Sequence, residues 1–227
     1  MSDLLPLFPL PNVVLFPNVF LPLHIFEQRY RDLAADAIAT DRMIGMVLMR
    51  PGWERDYEGR PPVYPIGCSG VITHFERLSD GRDNIVLRGV ERFKLLEEDH
   101  SRAYRLGVIE ALREPGLAGD DRAALRAQRS KLESMLTPPG ERLSGGPSGR
   151  QGRHEILEGR AGDPKITAAM SDEDLVNALA QYLDLEPLEK QALLEHHSLR
   201  SRAEALVELL EMKMLMARTP GLPNVAH

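Results

Sequence analysis

Residues 5–30 read LPLFPLPNVVLFPNVFLPLHIFEQRY, and this stretch decides how the chain begins to fold. Prolines recur through it between leucine, valine and phenylalanine, at Pro6, Pro9, Pro11, Pro17 and Pro22. Because proline removes a backbone donor and clashes with the preceding helical turn, the stretch disfavours a helix. Short apolar segments punctuated by proline are typical of edge strands and bulges. The sequence therefore predicts strands at the start of the fold.

One amphipathic helix is predicted directly after these strands. Between Ile25 and Ile38, apolar residues recur at steps of three and four, while charged residues occupy most of the other positions. That period places the apolar side chains on one helical face. We therefore expect a single early helix that packs one side against the strands.

Four further strands are predicted after the helix. Apolar runs cover 43–49, 66–78, 84–96 and 104–112. The dipeptide Asp80-Gly81, between the second and third runs, is a strong turn signal. Many short strands combined with a single helix are typical of a compact, partly closed barrel.

The run at 84–96 contains a break in its apolar face. Gly89 and Glu91 stand where apolar residues would continue that face, so we expect a bend near Gly89. The Glu91 carboxylate comes nearest to standing alone in an apolar segment. We expect it to pair with Arg88 or Arg92.

The second half of the chain is predicted to be helical around a segment that cannot pack. The segment 137–164 holds seven glycines and four prolines in 28 residues, which is typical of a flexible linker or insertion. The expected organisation is a β domain at 1–117, a connecting helix at 118–136, a linker or insertion rich in glycine and proline at 137–170, and a helical subdomain at 171–218.

Three helices are expected in the helical subdomain, each with a start signal. Ser171 is a predicted N-cap, since acids follow it in the first turn. Pro187 suits the first turn of the second helix. Ser201 and Glu204 form a capping-box pattern at the start of the third helix.

Length and composition exclude several classes of protein. The chain has 227 residues, 43% hydrophobic and 27% charged, as in an ordinary globular protein. Its one cysteine, Cys68, cannot form an intrachain disulfide, so a reducing, cytoplasmic location is expected. No apolar run reaches the roughly 18 residues of a membrane span. The amino terminus also lacks the basic residues of a secretory signal. We therefore expect no membrane association.

The excess of acidic residues behind the net charge of −6 is concentrated in one segment. Residues 171–217 contain ten acids and four bases, so they carry the whole excess, while the other 180 residues balance. A solvated face of acidic helices is the simpler interpretation, and a docking surface for basic partners is the alternative. This charge argues against nucleic acid as a partner.

The sequence shows no motif for nucleotide or metal chemistry. It contains neither a GxxxxGK[ST] loop nor a dinucleotide fingerprint after a strand. His196 and His197 are adjacent, so on a helix they point about 100° apart and do not form the i, i+4 pair of a zinc helix. Cys68 is interpreted as a buried structural thiol. We expect no cofactor, no metal and no catalytic residue.

Two groups of residues are candidate peptide-binding sites. Trp53, Tyr57 and Tyr64 either line a binding surface or pin a loop onto the barrel. Methionines near the end of the last helix either pack inside the bundle or form a flexible recognition face. Those methionines are Met212, Met214 and Met216.

Several sequence blocks resemble a known family. LPLFPL at 5–10, VVLFP at 13–17 and LPLHIFEQRY at 21–30 are similar to the opening of the amino-terminal, substrate-binding domain of Lon proteases. Ile66 to Ile72 and the Asp-Gly hairpin region at 80–93 resemble later strands of that domain.

This likeness extends over most of the chain. The spaced blocks occur in order across 4–113, and the helices at 171–217 resemble the helical subdomain that follows in the family. The resemblance implies an α+β fold, in which a PUA-like β pseudobarrel with one early helix is followed by a C-terminal helical bundle.

In full-length Lon proteases this part helps to engage substrate proteins and supports assembly. Here the sequence ends at His227, which leaves no room for an ATPase or a protease domain. The resemblance therefore implies a stand-alone, ATP-independent bacterial member that is related to proteolysis but is not itself an enzyme.

One short segment is similar to the loop around the Lon catalytic serine. Gly145 to Gly149 carries Ser148, but no downstream proteolytic domain is expected to supply the partner lysine or a scaffold that holds it. Because a nucleophile needs a base within hydrogen-bond reach, Ser148 is interpreted as part of the linker.

Three functions follow as hypotheses. The first is a non-catalytic module that binds unfolded or partner proteins in protein quality control, with homo-oligomerisation left open. The second is an RNA-binding PUA-like module, which a salt-dependent affinity for RNA would support. The third is a small-molecule-binding protein that uses a cleft between barrel and helices, for which a cluster of perturbed pKa values would be the signature.

Overall fold

A computed structural model describes residues 4–57, 59–116, 119–136 and 169–218. The predicted linker, apart from its last two residues, and Ser148 lie outside these ranges. Contacts divide the chain into two units. The first unit comprises 1–114 with 177–195, and the second comprises 115–176 with 196–227. The sheet unit therefore includes a helical segment that is distant in sequence.

Six strands form one mixed sheet in the first unit. They are β1 (Leu5–Leu10), β2 (Phe20–Ile25), β3 (Met43–Leu48), β4 (Ile66–Arg77), β5 (Asp83–Asp99) and β6 (Arg105–Leu112). Their order is β2-β5-β4-β3-β1-β6, and β1 with β3 is the parallel pair among otherwise antiparallel neighbours. The predicted strands are confirmed, including two in the proline-rich opening.

The sheet curls because β5 is long enough to pair with different strands along its two halves. Its first part pairs with β2 and β4, and its last part pairs with β6. Within the described strands β2 keeps a free edge, so the sheet is a pseudobarrel and not a closed barrel. The expected α+β fold is thereby confirmed.

The bend predicted near Gly89 is present as a register shift. Ser69 faces Glu91 and Gly70 faces Gly89, so Val90 is the extra residue of a bulge. A Cβ on Gly89 would collide with the Phe16 carbonyl oxygen. Glycine is thus required where β5 passes close to the loop between β1 and β2.

The early helix α1 (Gln28–Ala39) packs on the sheet as its pattern predicts. Tyr30, Leu33, Ala34 and Ala37 are buried at helical spacing. The Tyr30 ring lies 4.3 Å from the Phe8 ring of β1, measured between centroids. This contact fixes α1 against the strand that opens the fold.

Two glutamines attach the helical segment of the first unit to the β1–β2 loop and to β4. This segment holds the end of α3 (Asp172–Tyr182) and all of α4 (Pro187–Glu195). The Phe16 backbone N–H donates to Gln181 Oε1 at 3.2 Å, and Gln191 Nε2 donates to the Ile66 carbonyl at 3.0 Å. Pro187 opens α4, as predicted.

The second unit contains all of α2 (Gly119–Leu136), all of α5 (Leu199–Arg218) and the first residues of α3. Helices α2 and α5 contact each other. The Arg200 guanidinium lies 2.9 Å from the Asp121 carboxylate, and the Arg129 guanidinium lies 2.7 Å from the Asp172 carboxylate. No helix among the described residues is long and apolar enough to cross a membrane.

The helix caps of this unit match the sequence in one case and differ in the other. The Ser171 hydroxyl accepts the Asp174 N–H at 3.1 Å, so the predicted N-cap is confirmed. The capping box expected at Ser201 and Glu204 was wrong. Ser198 caps α5 by accepting the Ser201 N–H at 3.2 Å, and Glu204 instead bonds Arg200. The helix therefore starts three residues earlier than predicted, with Ser198 as its N-cap.

Candidate functional site

A groove of about 570 Å³ opens on the first unit, and we call it the acidic groove. Six separate segments supply its lining: the start of β1, the end of α1, β3, β4, β5 and the stretch that enters β6. Its lining residues are Leu4, Leu5, Pro6, Asp36, Ala39, Thr40, Asp41, Met43, Ser69, Glu91, Arg102, Tyr104, Leu106 and Ile109.

The floor of the acidic groove is an extension of the hydrophobic core. Leu5 belongs to a buried cluster with Leu7, Val47 and Phe93, and partly buried Met43 and Ile109 pack against that cluster. Leu4 adds a large apolar side chain that is 38% exposed. The floor is therefore anchored by close-packed side chains and still presents apolar surface.

The turn from α1 to β3 places one carboxylate at the rim. Asp41 Oδ1 accepts the Met43 backbone N–H at 3.0 Å, which is the geometry of an Asx turn. Arg42 adopts a left-handed backbone with φ of 64°, and its N–H donates to the Ala37 carbonyl. The tight turn thus holds Asp41 beside the apolar floor.

A second carboxylate, Asp36, is held by groups from the stretch that precedes β6. The Tyr104 hydroxyl donates to Asp36 Oδ2 at 2.6 Å, and Arg102 Nη1 lies 3.6 Å from the same oxygen. Burial, reinforced by the bond to Asp36, raises the Tyr104 pKa to about 12. The hydroxyl therefore stays protonated and keeps donating near neutral pH.

The third carboxylate, Glu91, corrects a sequence prediction. Its expected ion pair with Arg88 or Arg92 is wrong. Arg92 Nε lies 3.2 Å from Glu114 Oε1, and Arg88 is directed to Asn18. The bulge at Val90 sets Glu91 on the groove side of β5, where its side chain is exposed and forms no ion pair with another described residue.

The lining combines three carboxylates with one guanidinium above an apolar floor. Such a surface fits an extended polypeptide segment that carries apolar side chains and basic flanking residues. The carboxylates would repel acidic or phosphorylated ligands at the same place.

The aromatic residues predicted from the sequence lie outside this groove. Trp53 and Tyr57 meet edge to face with ring centroids 5.5 Å apart, at the short 3₁₀ helix Trp53–Asp56. The Tyr57 hydroxyl donates to Glu27 Oε1 at 2.5 Å, and Arg29 Nη2 donates to the Tyr57 carbonyl. Burial and the bond to Glu27 raise the Tyr57 pKa. These contacts favour the alternative in which Tyr57 pins its loop.

The remaining predicted binding residues are spread over both units. Tyr64 lies under the Arg50 guanidinium, 5.2 Å from the ring centroid. Met212, Met214 and Met216 are exposed near the end of α5 in the second unit. Trp53 and Tyr57 are therefore brought together, and all six residues remain predictions as binding contacts.

A further feature of the described part of the chain is the arrangement of its metal-ligating side chains. No group of three His, Cys, Asp or Glu side chains there could hold a metal ion. Cys68 is fully buried in β4, in accordance with a structural thiol.

The sequence alone did not predict the acidic groove, because its lining residues are dispersed along the chain. Leu4, Met43 and Ile109 look like ordinary strand residues, and 105 positions separate the first from the last. One signal was present: Glu91 interrupts an apolar face, which marks a position that faces solvent beside the core.

Comparison with known proteins places the chain in a family. The family model for the substrate-binding domain of ATP-dependent protease La (Lon) matches residues 4–212. The Lon protease of Anaeromyxobacter dehalogenans is 26% identical over 217 residues, covering 92% of this chain and 23% of that protein. Lon protease 2 of Myxococcus xanthus is 25% identical over 219 residues, covering 93% and 24%. The chain thus spans about a quarter of the length of these relatives.

Solved structures share the fold. The N-terminal domain of a Mycobacterium avium complex Lon protease superposes with a TM-score of 0.65 at 17% identity, covering 92% of this chain and 98% of that one. A Lon N-terminal domain protein from Xanthomonas campestris gives a TM-score of 0.55 at 20% identity, covering 96% and 99%. With the family match over most of its length, the chain belongs to the Lon substrate-binding domain family.

Proposed function

We propose that this chain is a non-catalytic module that binds unfolded or partner polypeptides through the acidic groove, in the service of protein quality control. The observation that carries the proposal is the groove itself, where an apolar floor lies beneath three carboxylates. Membership of a substrate-binding domain family supports a polypeptide as the ligand.

The expected ligand is an extended segment with apolar residues flanked by lysine or arginine. Its apolar side chains would cover Leu4, Met43 and Ile109, which lose water-exposed surface on binding. Its basic residues would meet Asp36, Asp41 and Glu91 at the rim. Unfolded proteins expose such segments, whereas folded proteins bury them.

RNA is a poorer ligand for this groove. Phosphates would approach three carboxylates and a single arginine, and that balance of charge is unfavourable. The exposed methionines of α5 offer a second predicted polypeptide contact, which is independent of the groove.

Replacement of an exposed floor residue tests the proposal. Leu4→Ser removes apolar surface from the groove without opening a cavity in the core, because Leu4 is 38% exposed. Val90→Ser is the matched control, since Val90 is similarly exposed at 44% and does not line the groove.

Affinity for a permanently unfolded polypeptide would be measured by fluorescence anisotropy for the full chain and for both variants. Leu4→Ser should weaken binding by about threefold to tenfold, as expected for one partly buried apolar side chain. Val90→Ser should bind as the wild type does. Equal affinity of all three proteins would contradict the proposal.

A further inference from the structure

A second cavity in the first unit has an unusual lining, and we call it the arginine cavity. It has a volume of about 170 Å³ and is lined by three arginines and three tyrosines, together with small and apolar residues. The six are Arg29, Tyr30, Tyr57, Arg60, Tyr104 and Arg105. None of the described lining residues is acidic.

Two of the three guanidiniums are neutralised from outside the cavity. Arg29 Nη2 lies 2.9 Å from Glu27 Oε2, and Arg105 Nη1 lies 3.1 Å from Glu98 Oε1. Arg105 is 95% buried and also donates to the Pro61 carbonyl at 2.6 Å. Both side chains are therefore fixed in place by their bonds.

Arg60 differs from the other two because its guanidinium is not held in an ion pair, and the Asp99 carboxylate acts on it only through a longer-range Coulombic interaction. Its guanidinium forms no ion pair with another described residue, and Nη2 donates to the Arg102 carbonyl at 3.0 Å. Nη1 is buried without a hydrogen-bond partner in the described part of the chain. A cationic donor in that condition is costly, and an anion beside it would remove the cost.

The tyrosines add neutral hydroxyls to this cationic lining. Burial raises the Tyr30 pKa to about 12, so this hydroxyl is protonated at neutral pH. Tyr104 lines both the arginine cavity and the acidic groove. A polypeptide bound in the groove therefore has the cavity as its neighbour.

We propose that the arginine cavity is an oxyanion site, in which Arg60 binds a carboxylate of a polypeptide held in the acidic groove. The carboxylate is either the ligand's carboxyl terminus or an acidic side chain. A guanidinium is planar and matches a carboxylate with two parallel N–H donors. Pro9, Met49 and Pro61 supply apolar walls that suit the short carbon stem of such a group.

This inference rests on the proposed function only for the identity of the ligand. The acidic groove is proposed to bind a segment with basic residues, and the arginine cavity a carboxylate. Together the two sites predict a ligand in which basic residues are followed by a carboxylate at one end. The oxyanion site itself can be tested with small anions alone.

The first test uses sodium acetate and inorganic phosphate on the full chain, with the arginine side-chain NMR signals as the readout. Acetate should produce a saturable shift. Arg60→Gln should weaken acetate binding at least about tenfold, as expected for loss of a charge-assisted pair. Arg60→Lys keeps the positive charge but loses the two parallel N–H donors of the guanidinium, so its affinity for acetate should lie between those of the wild type and Arg60→Gln. Arg55→Gln is the matched control, because Arg55 is an exposed neighbour outside the cavity.

The second test uses one leucine-rich, lysine-flanked peptide, made with a free carboxyl terminus and as the amide. A third form carries an aspartate next to the amidated end, so it separates a side-chain carboxylate from the terminal one. At least one carboxylate form should bind several-fold more tightly than the plain amide, and Arg60→Gln should abolish that difference.

Three results would overturn the proposal: acetate binding unchanged in Arg60→Gln, saturable binding of phosphate but not acetate, or equal affinity of carboxylate and amide peptides. Equal binding of the peptides would leave the proposed function standing. Acetate binding without binding of any peptide would contradict the proposed function while the oxyanion site stands.

Discussion

The Tyr104 hydroxyl donates a hydrogen bond of 2.6 Å to Asp36 Oδ2, across 68 positions of sequence. This bond ties the last turns of α1 to the residue that precedes β6. It also orients a rim carboxylate of the acidic groove. The architecture of the groove therefore depends on a polar contact as well as on its apolar floor.

Tyr104→Phe should lower the free energy of unfolding by about 1 kcal/mol, because it removes the donor and leaves Asp36 with less support. A double-mutant cycle with Asp36→Asn, followed by urea denaturation, would measure the coupling between the two side chains. Tyr64→Phe is the control, since the Tyr64 hydroxyl has no hydrogen-bond partner among the described residues, and it should change stability by less than about 0.5 kcal/mol. Zero coupling would show that the bond does not support the fold.

Alkaline pH should destabilise the protein through its buried tyrosines. The pKa values of Tyr30 and Tyr104 are raised to about 12 in the fold, from 10.0 when unperturbed. The folded state then holds these protons more tightly than the unfolded state, so their contribution is full below pH 10. It is lost as the pH rises towards 12. Tyr104→Phe should flatten that dependence in thermal melts, and an unchanged slope would contradict the assignment.

Gln181 should contribute more to the free energy of unfolding than a surface glutamine does. Its Oε1 accepts the buried Phe16 N–H, so Gln181→Met leaves that donor unpaired and should cost about 1–3 kcal/mol. Exchange of the Phe16 amide hydrogen should become faster in this variant. Gln128→Met is the control, because Gln128 Oε1 is buried and accepts no hydrogen bond from a described residue. Equal losses of stability in Gln181→Met and Gln128→Met would contradict a structural role for the Gln181 hydrogen bond.

The rim charge should be visible in peptide binding. Glu91→Gln removes one of three carboxylates and should weaken binding of a lysine-flanked apolar peptide by about twofold to fivefold at low salt. The difference should shrink at high salt, because screening reduces the contribution of exposed charges. Glu110→Gln, an exposed residue on β6 outside the groove, should bind as the wild type does. A salt-independent loss in both variants would argue against a role for the rim.

The sequence predicted the elements well because their signals are local. Proline spacing in 5–22 and helical periodicity in 25–38 act over a few residues, and the structure confirms the strands and the helix. The bend at Gly89 was also predictable, since glycine and Glu91 both break an apolar face. Such features need no knowledge of what lies opposite in the fold.

Features that depend on distant partners were not predictable in this way. The capping-box pattern at Ser201 and Glu204 misplaced the start of α5, because in the fold Ser198 caps the helix and Glu204 pairs with Arg200. Gln181 and Gln191 look like ordinary surface residues of acidic helices, yet Gln181 accepts the Phe16 N–H of the loop between β1 and β2, and Gln191 donates to the Ile66 carbonyl of β4. The acidic groove likewise exists only once six segments meet.

Protection from hydrogen exchange on binding a permanently unfolded polypeptide tests the central claim most directly. The full chain would be compared with and without this polypeptide. We expect slower exchange in three of the segments that line the acidic groove, 4–6, 39–43 and 104–109. Protection confined to 53–57 or 212–216, with none at the groove, would contradict the claim.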